Sequence, residues 1–439
     1  MRYRKFAALL GCVALMGGVA ACGDDDNGGS GGSSSGDTET GSTEGAKAVD
    51  PASMENASGD VTVCMGKDTA GDIKLAIEEF NKQNNGVTVK LVEFSTSADE
   101  QRAQFVQRQE AKSGECDIFS SDVIWTAEFA SQKWLMDMTP YVDSRKDEII
   151  PATLDTVTYD GKIWGMPQQT DAGFLYYRTD QVKGDLPKTW QDVYASAADL
   201  DGIVYQGAPY EGLTCNFLEI AYAAGGEVLN EDGTEAVIDS PENLAALQFM
   251  VDGVKDGTAA KGVTTYMEEE SRRYFESGKA TWMRNWPYAY ALGEKADAVK
   301  GKFDVMPFPA WETPDGGKAG ILGGHNQVIS VYSDNPGGAL KYIDYVTGPE
   351  HQVQQMLEFS QSSTLKATYD DPAITKKYAF APQLLDAISQ ARARPVSPVY
   401  PQISQAIYEN VNAALAGQTS PADALKKAQS DMQAALETF

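Results

Sequence analysis

At 439 residues the chain exceeds the roughly 250–300 residues at which a single hydrophobic core stops growing, so two lobes are expected. Hydrophobic residues at 42% and aromatics at 10% supply enough apolar surface for a globular protein, which excludes a disordered one. The formal net charge of -27 lacks the clustered Lys and Arg that phosphate neutralisation needs, which argues against nucleic acid, and no apolar run reaches the ~20 residues of a membrane span.

Arg2, Arg4 and Lys5 precede an apolar stretch from Phe6 to Val19, the layout of a secretory signal, so residues 1–21 read as an export signal. The stretch ends Val19-Ala20-Ala21-Cys22-Gly23. One reading is an ordinary small-residue cleavage site with an incidental cysteine. The other rests on a resemblance to the bacterial lipoprotein box, which implies that Cys22 is lipidated, becomes the mature N-terminus and anchors the chain to the cell membrane; more than one acyl chain suffices for stable attachment. Residues 23–60 are rich in Gly, Ser, Thr and Asp and read as a disordered leash with a coil reach of roughly 30–35 Å. With Cys12 and Cys22 set aside, three cysteines remain, and an odd count yields no disulfide framework. Cys64 and Cys116 can meet only if their strands are neighbours, and Cys215 lies far along the chain.

Val61 to Met65 reads as a strand, followed by a helix carrying Ile73, Ile77 and Phe80 at helical spacing and stopped by Asn84-Asn85-Gly86. Val87 to Phe94 is a second strand, Asp99 to Lys112 a helix and Cys116 to Ser120 a third strand. This βαβαβ opening predicts a parallel sheet whose ligand lies beyond the strands' carboxyl ends, where Lys67, Asp68 and Asp122 stand. Leu175 to Arg178 is another strand, Thr189-Trp190-Gln191-Asp192 opens a helix, and Asn230-Glu231-Asp232-Gly233 turns a hairpin between Val228-Leu229 and Val237-Ile238. Ser240 caps a helix with Pro241 at its first position and a buried stripe of Leu244, Leu247, Val251 and Val254. Two helices finish the chain, one with the stripe Ile403, Ile407, Val411 and Leu415, ended by Gly417, the next started by Ser420-Pro421 and running through Leu425, Ala428 and Met432. There is no internal repeat, and the class is α/β in two lobes.

The sequence holds no GxxxxGK[ST], GxGxxG, HExxH or GxSxG signature. His325 and His351 lack metal-ligand spacing, so neither a metal site nor a cofactor is expected. Adjacent Tyr176 and Tyr177 point to opposite faces of a strand and cannot readily share one ferric ion. Asn285-Trp286-Pro287-Tyr288 follows the expected strand Ala280 to Arg284, and Pro287 ends it as a central strand. Trp286 and Tyr288 then stand at a chain break, where rings can stack on the C–H faces of sugars; the bland alternative is that Trp286 is core.

The segments CDIFSSDVIWTAEFASQKWL, GMPQQTDAGFLYYRTD, LPKTW, YEGLTCNFLEIAYAAGGEVLNEDG, SRRYFESGKATWMRNWPYAYAL, LGGHNQVIS, GPEHQ and ARPVSPVYPQIS follow in order over nearly all of the folded part. From about Val61 onward the chain resembles the extracellular solute-binding proteins of ABC sugar importers, the maltose-binding-protein-like family, most closely its trehalose/maltose-binding branch. The resemblance implies a two-lobe periplasmic-binding-protein-like fold of type II, with residues 61–168 and 325–362 in one lobe and 171–320 and 366–439 in the other. Crossing segments near Gln168–Asp171, Gly320–Gly324 and Ser360–Lys366 join the lobes, and ligand is trapped between them by hinge closure. It further implies no catalysis, a monomeric receptor for a carbohydrate, a disaccharide above all, and delivery to the importer's permease subunits. By position in those motifs Asp122 and Asp171 resemble carboxylates that hold sugar hydroxyls and need only stay ionised. Trp286 and Tyr288 resemble a stacking platform, Arg394 a hydroxyl-binding cation, Tyr210 and Glu211 second-lobe contacts, and Lys67 and Asp68 first-loop contacts. Where relatives often have Trp after the hinge Gly-Gly, this chain has Gly323-Gly324-His325, which puts the size of the bound sugar in doubt. A receptor for ferric ion or polyamine and a secreted glycosidase are the alternatives.

Overall fold

The strand–helix alternation from Gly59 onward folds as its periodicity predicts. β1 (Gly59–Met65) lies between β2 (Val87–Glu93) and β3 (Ile118–Asp122) and runs parallel to both. The structure is a computed structural model that describes residues 43–312, 317 and 319–438. The export signal, Cys22 and the first half of the expected leash lie outside the described residues. β4 (Thr158–Tyr159) and β5 (Lys162–Ile163) form a small hairpin, after which come β6 (Met166–Ala172), β7 (Phe174–Arg178), β8 (Ile203–Val204), β9 (Trp282–Asn285), β10 (Phe303–Met306) and β11 (Leu322–Ile329). The first lobe's sheet has the order β2-β1-β3-β11-β6, and the second lobe's sheet has the order β10-β7-β9-β8.

Alternation along β1 sends Val61 and Val63 to one face, under Ile73, Ile77 and Phe80 of the helix Asp72–Lys82. Cys64 goes to the other face, with Phe105, Phe119, Trp125 and Phe129. Because β1 and β3 are neighbours, Cys64 and Cys116 do meet and form a disulfide across a Cα–Cα distance of 5.8 Å, which leaves Cys215, among the described residues, as the buried free thiol. In the second lobe β7 splits Tyr176 from Tyr177: the first packs on Phe275 and Phe303, the second on Trp282. The chain passes between the two sheets at Gly173. A Cβ there would stand 2.6 Å from Phe308 and 2.9 Å from both Arg284 and Glu219, so glycine is the residue that fits.

Three local expectations are corrected. The leash does not extend to residue 60: from Thr43 the chain is folded onto the first lobe. Thr43 donates to Asp160, Ala48 bridges to Asp137, and Val49 is buried in the core with Met54 and Ala57 packed beside it, so a few apolar residues in a polar stretch dock it. In the helix Pro241–Lys255 Ser240 caps as expected, but the fully buried positions are Asn243, Ala246, Leu247, Met250 and Gly253, while Leu244, Val251 and Val254 are only partly covered. The stripe is rotated because Asn243 turns inward to donate to the carbonyls of Glu227 and Ile238. The turn at Asn230–Gly233 closes a single bridge, Leu229 to Ala236, and no ladder. The two C-terminal helices, Tyr400–Leu415 and Pro421–Leu436, keep the predicted stripes and caps.

Candidate functional site

The antiparallel partner of both β3 and β6 is β11, and its register assembles one wall of a cleft. His325 stands opposite Asp122, and Gly323 opposite Asp171. Gly324 has φ +126, a conformation that side chains rarely adopt, and a Cβ there would stand 2.3 Å from the Gln169 carbonyl oxygen. Two glycines therefore let the strands approach closely where the wall turns toward the second lobe. The cleft between the lobes encloses about 470 Å³, within the range of small-molecule sites. All eleven residues expected at a ligand site line it, drawn from positions as far apart as Lys67 and Arg394.

From the second lobe comes Trp286. The Arg284 guanidinium lies over its ring at 3.9 Å from the centroid and is gripped by both Glu219 oxygens and, at 3.0 Å, by Gln206. The Tyr176 hydroxyl donates to the Trp286 carbonyl at 2.7 Å. Trp286 is half-buried against this support and belongs to the cleft wall as much as to the core. Its ring also touches the hinge strand, since a Cβ on Gly323 would come within 3.1 Å of it. Tyr288 donates to Glu269 at 2.9 Å.

Arg394 joins the lobes. It donates to Glu211 at 2.7 Å and to Asp122 at 3.1 Å, while its Nε is buried without a partner. Glu211 also accepts from the hydroxyls of Tyr400 and Ser404. Its carboxylate thus braces Arg394 inside the second lobe and is not a free acceptor, which revises its expected role. The Glu211 backbone N–H donates across the cleft to Asp99 at 3.1 Å. Asp68 is also engaged: it accepts the backbone N–H groups of Gly71 and Lys74 at 2.7 and 2.9 Å and caps the helix Asp72–Lys82. Lys67 is exposed at the rim, and the buried Tyr210 hydroxyl faces the Glu268 carboxylate.

Burial governs the titrations here. It pushes the Asp171 carboxyl up to about 7, against the pull of donors from Gln169 at 2.8 Å and Ser362 at 3.3 Å. Asp171 is therefore not fixed in the ionised state near neutrality, as the sequence suggested. Burial likewise raises Glu211 to about 7 despite Arg394, and lowers His325, so the imidazole is neutral at pH 7. Asp72 is pushed up to about 8, by burial first and then by Asp68, to which it is hydrogen-bonded.

Sequence reasoning missed Asp72, Gln361, Glu268 and Arg284. Asp72 reads as an ordinary first-turn acid, and Gln361 lies in a crossing segment with nothing local to mark it. Glu268 opens the run Glu268-Glu269-Glu270 and reads as a solvated face, but burial holds its carboxyl above the usual range. Arg284, a charge in a strand that is buried throughout, was the one visible anomaly.

Residues 66–353 match the family model described as bacterial extracellular solute-binding protein. A probable ABC transporter-binding protein of Deinococcus radiodurans is 34% identical over 365 residues, 78% of this chain and 86% of that protein. Among solved structures, a maltose-bound Thermotoga maritima protein shares 37% identity with a TM-score of 0.81, covering 85% of this chain and 99% of that one. A solute-binding protein of Thermotoga lettingae bound with alpha-D-tagatose shares 26% identity with a TM-score of 0.79, covering 86% and 100%.

Proposed function

This chain belongs to the bacterial extracellular solute-binding proteins, the extracytoplasmic and non-enzymatic receptors of ABC importers, and from that premise we propose that it captures a di- or oligosaccharide of the trehalose/maltose type. Sugar transport as the general role is supported by its likeness to the maltose-bound protein. The observation that carries the finer reading is an aromatic platform, Trp286 backed by Arg284, in one cavity with the carboxylates of Asp122 and Asp171. A pyranose has apolar C–H faces for the ring and hydroxyls for the carboxylates, and a cavity of about 470 Å³ has room for two such rings. The neutral His325 ring and the free Nε of Arg394 supply donors for hydroxyl oxygens.

The segment near Gln168–Asp171, which runs on into the crossing at Gly173, and those at Gly320–Gly324 and Ser360–Lys366 serve as hinges. Each lobe holds part of the site, so ligand binds the closed state more tightly and shifts the population toward it. The receptor works as a monomer and passes its sugar to permease subunits. Cys22 carries the lipid that keeps it at the membrane, and Cys22→Ser releases the protein into the medium; a mutant still membrane-bound after a salt wash contradicts the anchor.

Calorimetry against trehalose, maltose, sucrose and longer glucans tests the sugar class. Saturation at one disaccharide per chain is expected, with the sugar recovered unchanged by chromatography. Binding of none of them refutes the reading.

A further inference from the structure

The cleft carries more negative charge than a neutral sugar needs. Eight carboxyl side chains line it against three cationic ones. Arg394 is engaged by Asp122 and Glu211, Arg273 by Glu269 and Glu270, and Lys67 stands exposed at the rim. Among the described residues no Lys or Arg forms an ion pair with Asp68, Asp72, Asp171 or Glu268. Asp72 is 4% exposed, lines the cavity, and has Asp68 and Gln361 as its side-chain partners. Gln361 is 7% exposed and also lines the cavity, and its Oε1 is buried with no partner at all. The next residue, Ser362, donates to Asp171. At this end of the cleft Asp72 and the Gln361 amide oxygen thus stand together as acceptors with no cation paired to either.

That imbalance selects a ligand chemistry. A hydroxyl brings one donor but also two lone pairs that need donors of their own, whereas an ammonium group brings three donors and no acceptor. A cation also replaces the proton that buried Asp72 otherwise takes up beside Asp68. Resting on the sugar reading above, we propose that the cleft is built for an amino-substituted sugar whose ammonium group sits between Asp72 and the Gln361 amide oxygen.

The test is calorimetry on the full exported chain at pH 7, with a second series at lower pH in which protons compete with the ammonium group for Asp72. The probes are glucose with its 2-, 3- and 6-amino derivatives, trehalose with its amino derivatives, their N-acetylated forms, and spermidine. At least one amino sugar is expected to bind about tenfold or more tightly than its parent, the scale of one charge-assisted hydrogen bond. N-acetylation should remove that gain and raised salt should shrink it. Asp72→Asn and Gln361→Met should each cut the amino-to-parent affinity ratio several-fold, judged on variants with unchanged circular dichroism. Parents binding as well as every amino form would overturn the proposal and leave the sugar reading intact. Absence of binding by any sugar, with or without spermidine binding, sinks the sugar reading and the proposal together.

Discussion

Two groups of buried carboxylates face the same cleft and differ in whether a cation pairs with them. Around Arg394 the carboxylates of Asp122 and Glu211, with Tyr400 and Ser404, share a cation across the lobes. Around Gln361 the carboxylates of Asp72 and Asp171 have amide and hydroxyl donors but, among the described residues, no ion-pair partner. A buried charge with its counter-ion fixes architecture, and removing one partner is costly because the other is left uncompensated. A buried acid without a counter-ion takes up a proton and waits for a ligand to replace it.

The contrast predicts a graded series. Arg394→Met leaves Asp122 and Glu211 without their cation and should lower stability by about 3–5 kcal/mol, read from chemical denaturation. A loss no larger than that of Asp72→Asn would erase the distinction between the two groups. Trp286→Ala should weaken sugar binding by roughly 2 kcal/mol with a small change in melting temperature. Were the ring mainly core, stability would fall by ~3–5 kcal/mol and affinity among folded molecules would hold.

The acid group without a cation should be visible in pH dependence. Sugar hydroxyls donate to ionised Asp171, so affinity should fall as pH drops through about 7, by up to about tenfold per unit below it, and Asp171→Asn should flatten that limb. For the ligand-free fold the sign is the reverse: Asp171 is raised above its unfolded value, so its contribution is full below pH ~4 and is lost as pH rises through about 7. A denaturation series over that range, with and without Asp171→Asn, checks it. The smallest effect is expected from Gly323→Ala, whose methyl would press on the Trp286 ring at 3.0 Å and should cost binding less than about 1 kcal/mol. An unchanged Kd would mean that the ring is free to shift.

Much of the frame was legible in the chain because it rests on local chemistry. Apolar strand and helix periods announced the βαβαβ opening, and Thr189, Ser240 and Ser420 cap their helices with their own side chains. Pro287 marked the break that turns Trp286 toward the cleft. Other features depended on partners distant in sequence. Val49 and Met54 read as scattered apolar residues in a polar leash until the first-lobe core covers them, and the Leu244 stripe is rotated by contacts Asn243 makes with other segments.

The site divides along the same line. Residue type and motif position were enough to nominate Asp122, Asp171, Trp286 and Arg394, because those positions carry their chemistry in the side chain itself. Which carboxylates have a cation and which do not is a property of pairs: Arg394 lies 183 residues from Glu211, and Gln361 is brought beside Asp72 only by the folded hinge segment. Burial set the state of Asp171 and His325 as well, and desolvation is created by the surrounding structure, so no reading of single residues contains it.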